Sequence, residues 1–223
     1  MSRLILVLGM HRSGTSLVTK SLECLGVSLG DRADWSGPDN ETGFHEDQDI
    51  LAINEAVLKR YGARWDTPTL DMKRQAIITD LHILAKRTLA AKLQRYPLFG
   101  LKDPRMCRLL PFWIPIFRVL GCEIGAVQVW RSPFDIASSL VRRNGRTLAY
   151  WMRLDAEYTM ELGRALPIKD GFPEWPIASV SYESLIGLHP DTEVRHIAKI
   201  LHLPVDQGRL AWFCSEFVRH PNG

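Results

Sequence analysis

The feature that most constrains the fold is a short apolar run near the N-terminus that leads at once into small polar residues. The run occupies residues 4–8 and ends at Gly9. An apolar run this short, ended by a glycine, predicts a strand that is buried on both faces of a parallel sheet. After the polar residues, apolar positions recur at helical spacing as far as Gly26, which predicts a helix that ends there. The order is therefore strand, tight polar turn, helix.

The turn between this strand and helix has the composition of a phosphate-binding loop. The N–H groups at a helix N-terminus and the helix dipole both favour an anion. Gly14 lets the backbone approach a ligand closely, Arg12 supplies a fixed cation, and neighbouring hydroxyls can donate further hydrogen bonds. The residues that we expect to bind phosphate are His11, Arg12, Ser13, Gly14, Thr15 and Ser16.

This loop departs from the phosphate loop of ordinary nucleotide triphosphatases. Gly9 and Gly14 keep the spacing of a Walker A motif, but Thr15 stands where that motif has lysine, and the cation is Arg12. An ATPase or GTPase would lose its lysine contact to the transferred phosphate. The loop therefore favours a phosphate-bearing donor other than an ordinary nucleoside triphosphate. The alternative is a strand, turn and helix that bind no ligand.

The composition is that of a globular chain, and its mild positive charge fits a site for an anionic ligand better than a nucleic-acid surface. Hydrophobic residues make up 46% of the 223 residues, charged residues make up 24%, and the net charge is +3. This suits one domain, residues 1–223, and no Lys/Arg block indicates a nucleic-acid surface. The four cysteines form no CxxC pair, so we expect no metal site and reduced thiols in a cytoplasmic protein. Residues 111–130 are too interrupted by charges and prolines for a membrane span.

Further strands and helices alternate along the rest of the chain. The patterns predict strands at 98–101, 124–130 and 177–180, and helices at 48–61, 72–95, 104–120, 133–143, 147–166, 190–202 and beyond 206. Such alternation predicts a parallel sheet with helices on both faces. Polar motifs follow the predicted strands: HRSGTS, KDPR, RSPFDIASS and SYES. Because ligands bind beyond the carboxyl ends of parallel strands, one site at this edge is expected.

A second candidate phosphate element begins at the end of the third predicted strand. Arg131 ends the strand, and Ser139 follows eight residues later on the predicted helix. The two side chains can meet across the first turns of the helix and offer a cation and a hydroxyl to one phosphate. Taken singly, each residue also has an interpretation without a ligand: Arg131 can be a surface cation, and Ser139 can be a hydroxyl on the helix surface. Arg142 and Arg143 lie on the same predicted helix; we expect them to be solvated, and the alternative is that they also help to bind the phosphate.

In these motifs the chain resembles the bacterial type of sulfotransferases that use 3′-phosphoadenosine 5′-phosphosulfate. The motifs that carry the resemblance are GMHRSGTSL, GFHED, LKDPR, VWRSPFDIASSL and VSYESL, although SYES departs from the commoner Tyr-Glu-Asp-Leu. The resemblance implies a P-loop-NTPase-like α/β fold in a single sulfotransferase domain. It also implies that the loop binds the 5′-phosphosulfate, that Arg131 and Ser139 bind the 3′-phosphate, and that no metal is needed.

The reaction implied is transfer of a sulfuryl group to an acceptor hydroxyl, or to an amine, with adenosine 3′,5′-bisphosphate as product. Such a transfer needs a base for the nucleophile and positive charge for the leaving phosphate. Glu46 in GFHED is the candidate base and His45 the second candidate; an exposed carboxylate or a helix cap is the other interpretation of Glu46. Lys102 is a candidate for the sulfuryl oxygens, and Arg105 for phosphate or an acidic acceptor. A salt-bridged turn is the alternative for KDPR.

Two rival functions and the acceptor stay open. One rival is a nucleotide-dependent kinase on the same scaffold, against which Thr15 speaks, and the other is a non-catalytic protein that binds an adenosine phosphate. The acceptor can be a carbohydrate, lipid, peptide or small alcohol, with no nucleic acid as partner, and the oligomeric state is not fixed.

The tryptophans have two expected places. We expect three of them in the core, namely Trp113, Trp151 and Trp175, whereas the loop residues Trp35 and Trp65 are candidate substrate platforms.

Overall fold

A computed structural model describes residues 2–31, 33, 43–72, 78–169 and 172–218. Its strands are β1 (Arg3–Leu8), β2 (Leu98–Lys102), β3 (Glu123–Trp130), β4 (Ile168–Lys169), β5 (Phe172–Pro173) and β6 (Ile177–Ser181). Its helices are α1 (Thr15–Cys24), α2 (Gln48–Arg60), α3 (Thr79–Arg95), α4 (Met106–Leu120), α5 (Pro133–Asn144), α6 (Leu148–Ala165), α7 (Tyr182–Leu185), α8 (Pro190–Ile200) and α9 (Gln207–Phe213), and a π-helical turn follows at Cys214–Val218.

The main sheet is parallel and has the strand order β2-β1-β3-β6. In its register, Leu6 of β1 lies between Leu101 of β2 and Ala126 of β3. Strands β4 and β5 form a separate antiparallel pair. The parallel sheet with helices packed on it confirms the α/β fold that the sequence predicts. It brings the ends of β1, β2, β3 and β6 to one edge, where the polar motifs begin.

The central strand β1 is buried on both faces, as its continuous apolar run predicts. Leu4, Leu6 and Leu8 belong to a core that includes buried residues of α2, α3, α4, α5 and α6. Ile5 and Val7 point to the opposite face, where they belong to a core with α1, α8 and α9. Because side chains alternate along a strand, one apolar run supplies both cores. None of the described helices is long and apolar enough to cross a membrane.

Local signals explain where several helices begin. Asp47 is the N-cap of α2, and its Oδ1 accepts hydrogen bonds from the N–H groups of Asp49 and Ile50. Helix α5 begins with Pro133 after the N-cap Ser132. One prediction is wrong at its start: helix α3 begins at Thr79 rather than at 72, where the chain forms a turn. Residues 73–77 lie outside the described part of the chain.

Candidate functional site

The loop after β1 turns sharply because two of its residues are left-handed. Arg12 has φ 68° and Gly14 has φ 94°, and the N–H of Ser13 donates to the carbonyl of Met10 at 3.1 Å. Gly14 is the N-cap of α1 and brings no side chain to cap the helix. Helix α1 therefore begins without a capping side chain from its N-cap residue, at the position where a helix N-terminus binds an anion.

Gly9 and Gly14 are required by close packing. A Cβ on Gly9 would lie 2.7 Å from Ser13 Oγ, and a Cβ on Gly14 would lie 2.2 Å from Cδ2 of Tyr182. Both distances are shorter than real Cβ contacts, and Gly14 also has a φ that glycine favours. The N–H of Gly9 donates to Sγ of Cys107 at 3.1 Å. The spacing that resembles a Walker A motif thus has a packing reason in this chain.

The second phosphate element lies against this loop. Nε of Arg12 donates to Oγ of Ser139 at 2.9 Å, and Nη1 of Arg131 donates to the carbonyl of Arg12 at 2.9 Å. The guanidinium of Arg131 also lies 4.4 Å from the ring centroid of Tyr182. The structure therefore brings together the residues that the sequence assigns to two phosphate subsites. The SYES motif, which contains Tyr182, was expected at this edge, but no role in the site was predicted for Tyr182.

Some buried polar atoms at this place have no hydrogen-bond partner among the described residues. They include Oγ of Ser13, in the loop, and Nε of Arg131. A buried polar group without a partner costs about 1–3 kcal/mol. The hydroxyl of Ser139 accepts from Arg12, so its own proton is available to a further acceptor. An anionic group with several oxygens fits this set of donors.

Glu46 and Lys102 form a buried ion pair beside the other end of the loop. Nζ of Lys102 lies 2.7 Å from Oε1 of Glu46, 2.8 Å from the carbonyl of Phe44 and 3.3 Å from Oγ of Ser16. The side chains of Lys102 and Glu46 are only 4% and 6% exposed. Lys102 thus connects the end of β2 both to the candidate base and to the first turn of α1. The interpretation of Glu46 as an exposed carboxylate is wrong, and Asp47 rather than Glu46 caps α2.

The KDPR turn is ion-paired and extends the cluster into the core. Nη1 of Arg105 lies 2.9 Å from Oδ1 of Asp103 and 3.7 Å from Oε2 of Glu46, and its Nη2 lies 3.2 Å from Oε1 of Glu55. Oδ2 of Asp103 accepts from Asn54 at 2.8 Å. The salt-bridged turn anticipated as an alternative is present. Through Arg105, this turn also contacts Oε2 of the Glu46 carboxylate.

Burial is the main influence on the electrostatics of Glu46. Burial raises the pKa of Glu46, and the Lys102 ammonium opposes this rise. A raised pKa makes a carboxylate a stronger base at the pH where it is still ionised. The position and the electrostatics of Glu46 are therefore those of a group that can accept a proton.

The two histidines have different places. The ring centroid of His11 lies 4.4 Å from that of Trp65, and burial lowers the pKa of His11 well below its ordinary value, with nearby Arg105 and Lys102 adding to the effect. His11 is thus neutral, and its ring packs on Trp65 instead of joining Arg12 and Ser139. His45 is buried next to Glu46 and has φ 53°. A non-glycine residue with this φ is uncommon and is often found at functional sites.

The tryptophans that were expected in the core lie there, but Trp65 does not have the free ring face that a substrate platform needs. Trp113 and Trp151 are buried in the core and Trp175 packs against it, as predicted. Trp65 is stacked on Trp151 with ring centroids 5.8 Å apart, in addition to its contact with His11. The ring of Trp65 therefore has protein neighbours where a substrate platform would need a free face. Trp35 lies outside the described residues.

Comparison with known proteins shows which solved structures share the fold of this chain. The chain matches no protein-family model and no curated protein. It is similar to the sulfotransferase domain of the Synechococcus PCC 7002 olefin synthase, with 15% identity, a TM-score of 0.52, and coverage of 94% of this chain and 77% of that one. It is also similar to the sulfotransferase STF1 from Mycobacterium tuberculosis, with 14% identity, a TM-score of 0.50, and coverage of 97% and 71%. The chain therefore has the fold of these sulfotransferase structures.

Proposed function

We propose that this chain forms a sulfotransferase domain that transfers a sulfuryl group from 3′-phosphoadenosine 5′-phosphosulfate to a hydroxyl, or to an amine, of a carbohydrate or small molecule. The observation that carries the proposal is the convergence of Arg12, Arg131 and Ser139 beside the loop. The fold supports it, since both neighbouring structures are sulfotransferases. The four free cysteines agree with a cytoplasmic location.

The donor would occupy both phosphate elements. The first N–H groups of α1 and the hydroxyl of Ser13 would bind the 5′-phosphosulfate, because they are donors at a helix N-terminus. Arg131 and Ser139 would bind the 3′-phosphate through the unpaired Nε and the available hydroxyl proton. In the protein alone Arg12 connects these subsites, since its side chain contacts Ser139 and its carbonyl accepts from Arg131.

The donor supplies an electrophilic sulfur and a phosphate leaving group, and the chemistry left to the protein is proton transfer and charge stabilisation. Glu46 would take the acceptor proton while the acceptor oxygen bonds to sulfur and the bond from sulfur to the phosphate oxygen breaks. Lys102 already lies between Glu46 and Ser16 of α1, so its ammonium is close to the expected place of the departing oxygen. Its positive charge would stabilise the negative charge that develops there.

Incubation with radiolabelled donor and a panel of hydroxyl and amine acceptors tests the proposal. We expect label in an acceptor, adenosine 3′,5′-bisphosphate as product, and full activity in EDTA. Loss of turnover in EDTA that Mg²⁺ restores, with ATP as the donor used, would support the rival kinase. Tight binding of the bisphosphate without transfer to any member of the panel would support the non-catalytic binding protein.

A further inference from the structure

The segment that carries Trp65 has no regular secondary structure, yet side chains from two helices hold its backbone. Its consecutive carbonyls accept hydrogen bonds as follows: Trp65 from the hydroxyl of Tyr158 at 2.7 Å, Asp66 from the hydroxyl of Tyr150 at 2.6 Å, and Thr67 and Pro68 from the guanidinium of Arg108 at 2.6 and 3.4 Å. Connecting segments are usually more mobile than the helices they join. Here four successive peptide groups are fixed to α4 and α6.

The side chain at the head of this segment contacts the phosphate loop. The indole of Trp65 packs between Trp151 of α6, which is stacked on it, and His11 of the loop. His11 is 9% exposed, and its Nε2 has no hydrogen-bond partner among the described residues. The place of the His11 ring is therefore set by packing on Trp65, which is its nearer ring neighbour, and on the ring of Tyr158.

The residue after His11 needs such support. Arg12 is left-handed at φ 68°, a conformation that costs a residue with a Cβ about 1–2 kcal/mol. Strained residues persist only where their surroundings determine them from several sides. On one side, Arg131 and Ser139 hold the carbonyl and the guanidinium of Arg12. On the other side, the ring of the preceding residue, His11, contacts Trp65 and Tyr158, with ring centroids 4.4 and 6.1 Å apart.

We propose that Trp65 is a positioning residue for the phosphate loop: fixed by Tyr158 and Trp151, it holds His11 and thereby keeps Arg12 in its left-handed conformation. The assignment rests on the proposed function in one respect, since the ligand of the loop is a phosphate-bearing donor. Trp65 and Tyr158 touch no ligand in this account. They act through His11, and their removal should lower the affinity for an anion at the loop without removing any group that binds it.

Two conservative variants form a matched pair for the test. Tyr158→Phe deletes the hydroxyl that binds the carbonyl of Trp65, and Tyr150→Phe deletes the hydroxyl that binds the carbonyl of the next residue, Asp66. Each loses one hydrogen bond to the same segment, so their thermal stabilities should fall by similar amounts. Calorimetry with adenosine 3′,5′-bisphosphate should show about 3- to 10-fold weaker binding for Tyr158→Phe only, the size of one hydrogen bond.

A double-mutant cycle identifies the route of the effect. If Trp65 acts through His11, His11→Ala and Tyr158→Phe together should weaken bisphosphate binding no more than His11→Ala alone. Additive losses would overturn the proposal, and so would equal affinities of wild type and Tyr158→Phe at comparable stability. A wild-type protein that does not bind the bisphosphate at all would instead overturn the proposed function.

Discussion

The two sides of the phosphate loop differ in what holds their charged groups. Around Arg12, Arg131 and Ser139, buried donors lack partners among the described residues, namely Ser13 Oγ and Arg131 Nε. Around Glu46, the carboxylate is held by Lys102 at 2.7 Å and by Arg105 at 3.7 Å. The first side therefore offers donors that fit an anion from outside. On the second side Glu46 already has cationic partners, although Nε of Arg105 is buried there without a hydrogen-bond partner among the described residues.

This difference separates binding from catalysis. An anion at the first side satisfies groups that are already in place, so binding there needs little rearrangement. In the proposed reaction, Lys102 would divide its positive charge between Glu46 and the departing oxygen, and Glu46 would give up part of its ion pair before it accepts a proton. We therefore expect substitutions on the first side to change donor affinity and substitutions on the second side to change the rate.

The largest effect is expected for Glu46→Gln. Glutamine keeps the shape of the side chain but cannot accept the acceptor proton, so the turnover rate should fall by about 10²–10⁴-fold while bisphosphate affinity is retained. Rate measurements with a responsive acceptor, alongside calorimetry, separate the two quantities. His45→Ala should lower the rate less. If Glu46→Gln retains near-normal turnover while His45→Ala abolishes it, histidine is the base.

The pH dependence of the rate sharpens the same assignment. Burial raises the pKa of Glu46, so the carboxyl becomes protonated, and useless as a base, at a higher pH than an ordinary glutamate. The rate should therefore fall on the acid side at a pH above the usual glutamate range. A pH–rate profile whose acid limb persists unchanged in Glu46→Gln would show that another group titrates.

On the donor side, Arg12→Ala should weaken bisphosphate binding by about 1.5–3 kcal/mol, the size of a charge-assisted contact. The exposed Arg142 on α5 offers a matched control, because Arg142→Ala removes the same charge from the helix that carries Ser139. Calorimetry should show a large loss for the first variant and little change for the second. Equal affinities for Arg12→Ala and wild type would remove the loop from the site.

A smaller effect is expected at Asp155, a buried carboxyl that, unlike Glu46, has no ion pair or hydrogen bond with the described residues. Burial raises the pKa of Asp155 to about 6 from 3.8. The folded protein then binds more protons than the unfolded chain in this window, so the free energy of unfolding falls as pH rises from about 4 to 6. Denaturant titrations should show a flatter profile and higher stability above pH 6 for Asp155→Asn. An unchanged slope would contradict this.

The sequence predicted that the loop meets Arg131, but it did not predict that Glu46 pairs with Lys102, and the reason is physical. The residues 4–8, the loop and Arg131 are local patterns at strand ends, and a parallel sheet brings strand ends together. The pairing of Glu46 with Lys102 joins residues 56 positions apart, and no local pattern specifies it. The same holds for Trp65, whose loop position suggested a free aromatic face. Its packing on His11 and Trp151 depends on how α6 lies against the loop.

The most direct test of the central claim is the preference of the wild-type protein for a 3′-phosphate. Calorimetry with adenosine 3′,5′-bisphosphate and with AMP compares two ligands that differ in that group alone. If Arg131 and Ser139 form the second phosphate subsite, wild type should bind the bisphosphate far more tightly than AMP, and Arg131→Ala should lose most of this preference while keeping its affinity for AMP. Equal affinity of wild type for both ligands would contradict the assignment and, with it, the proposed donor.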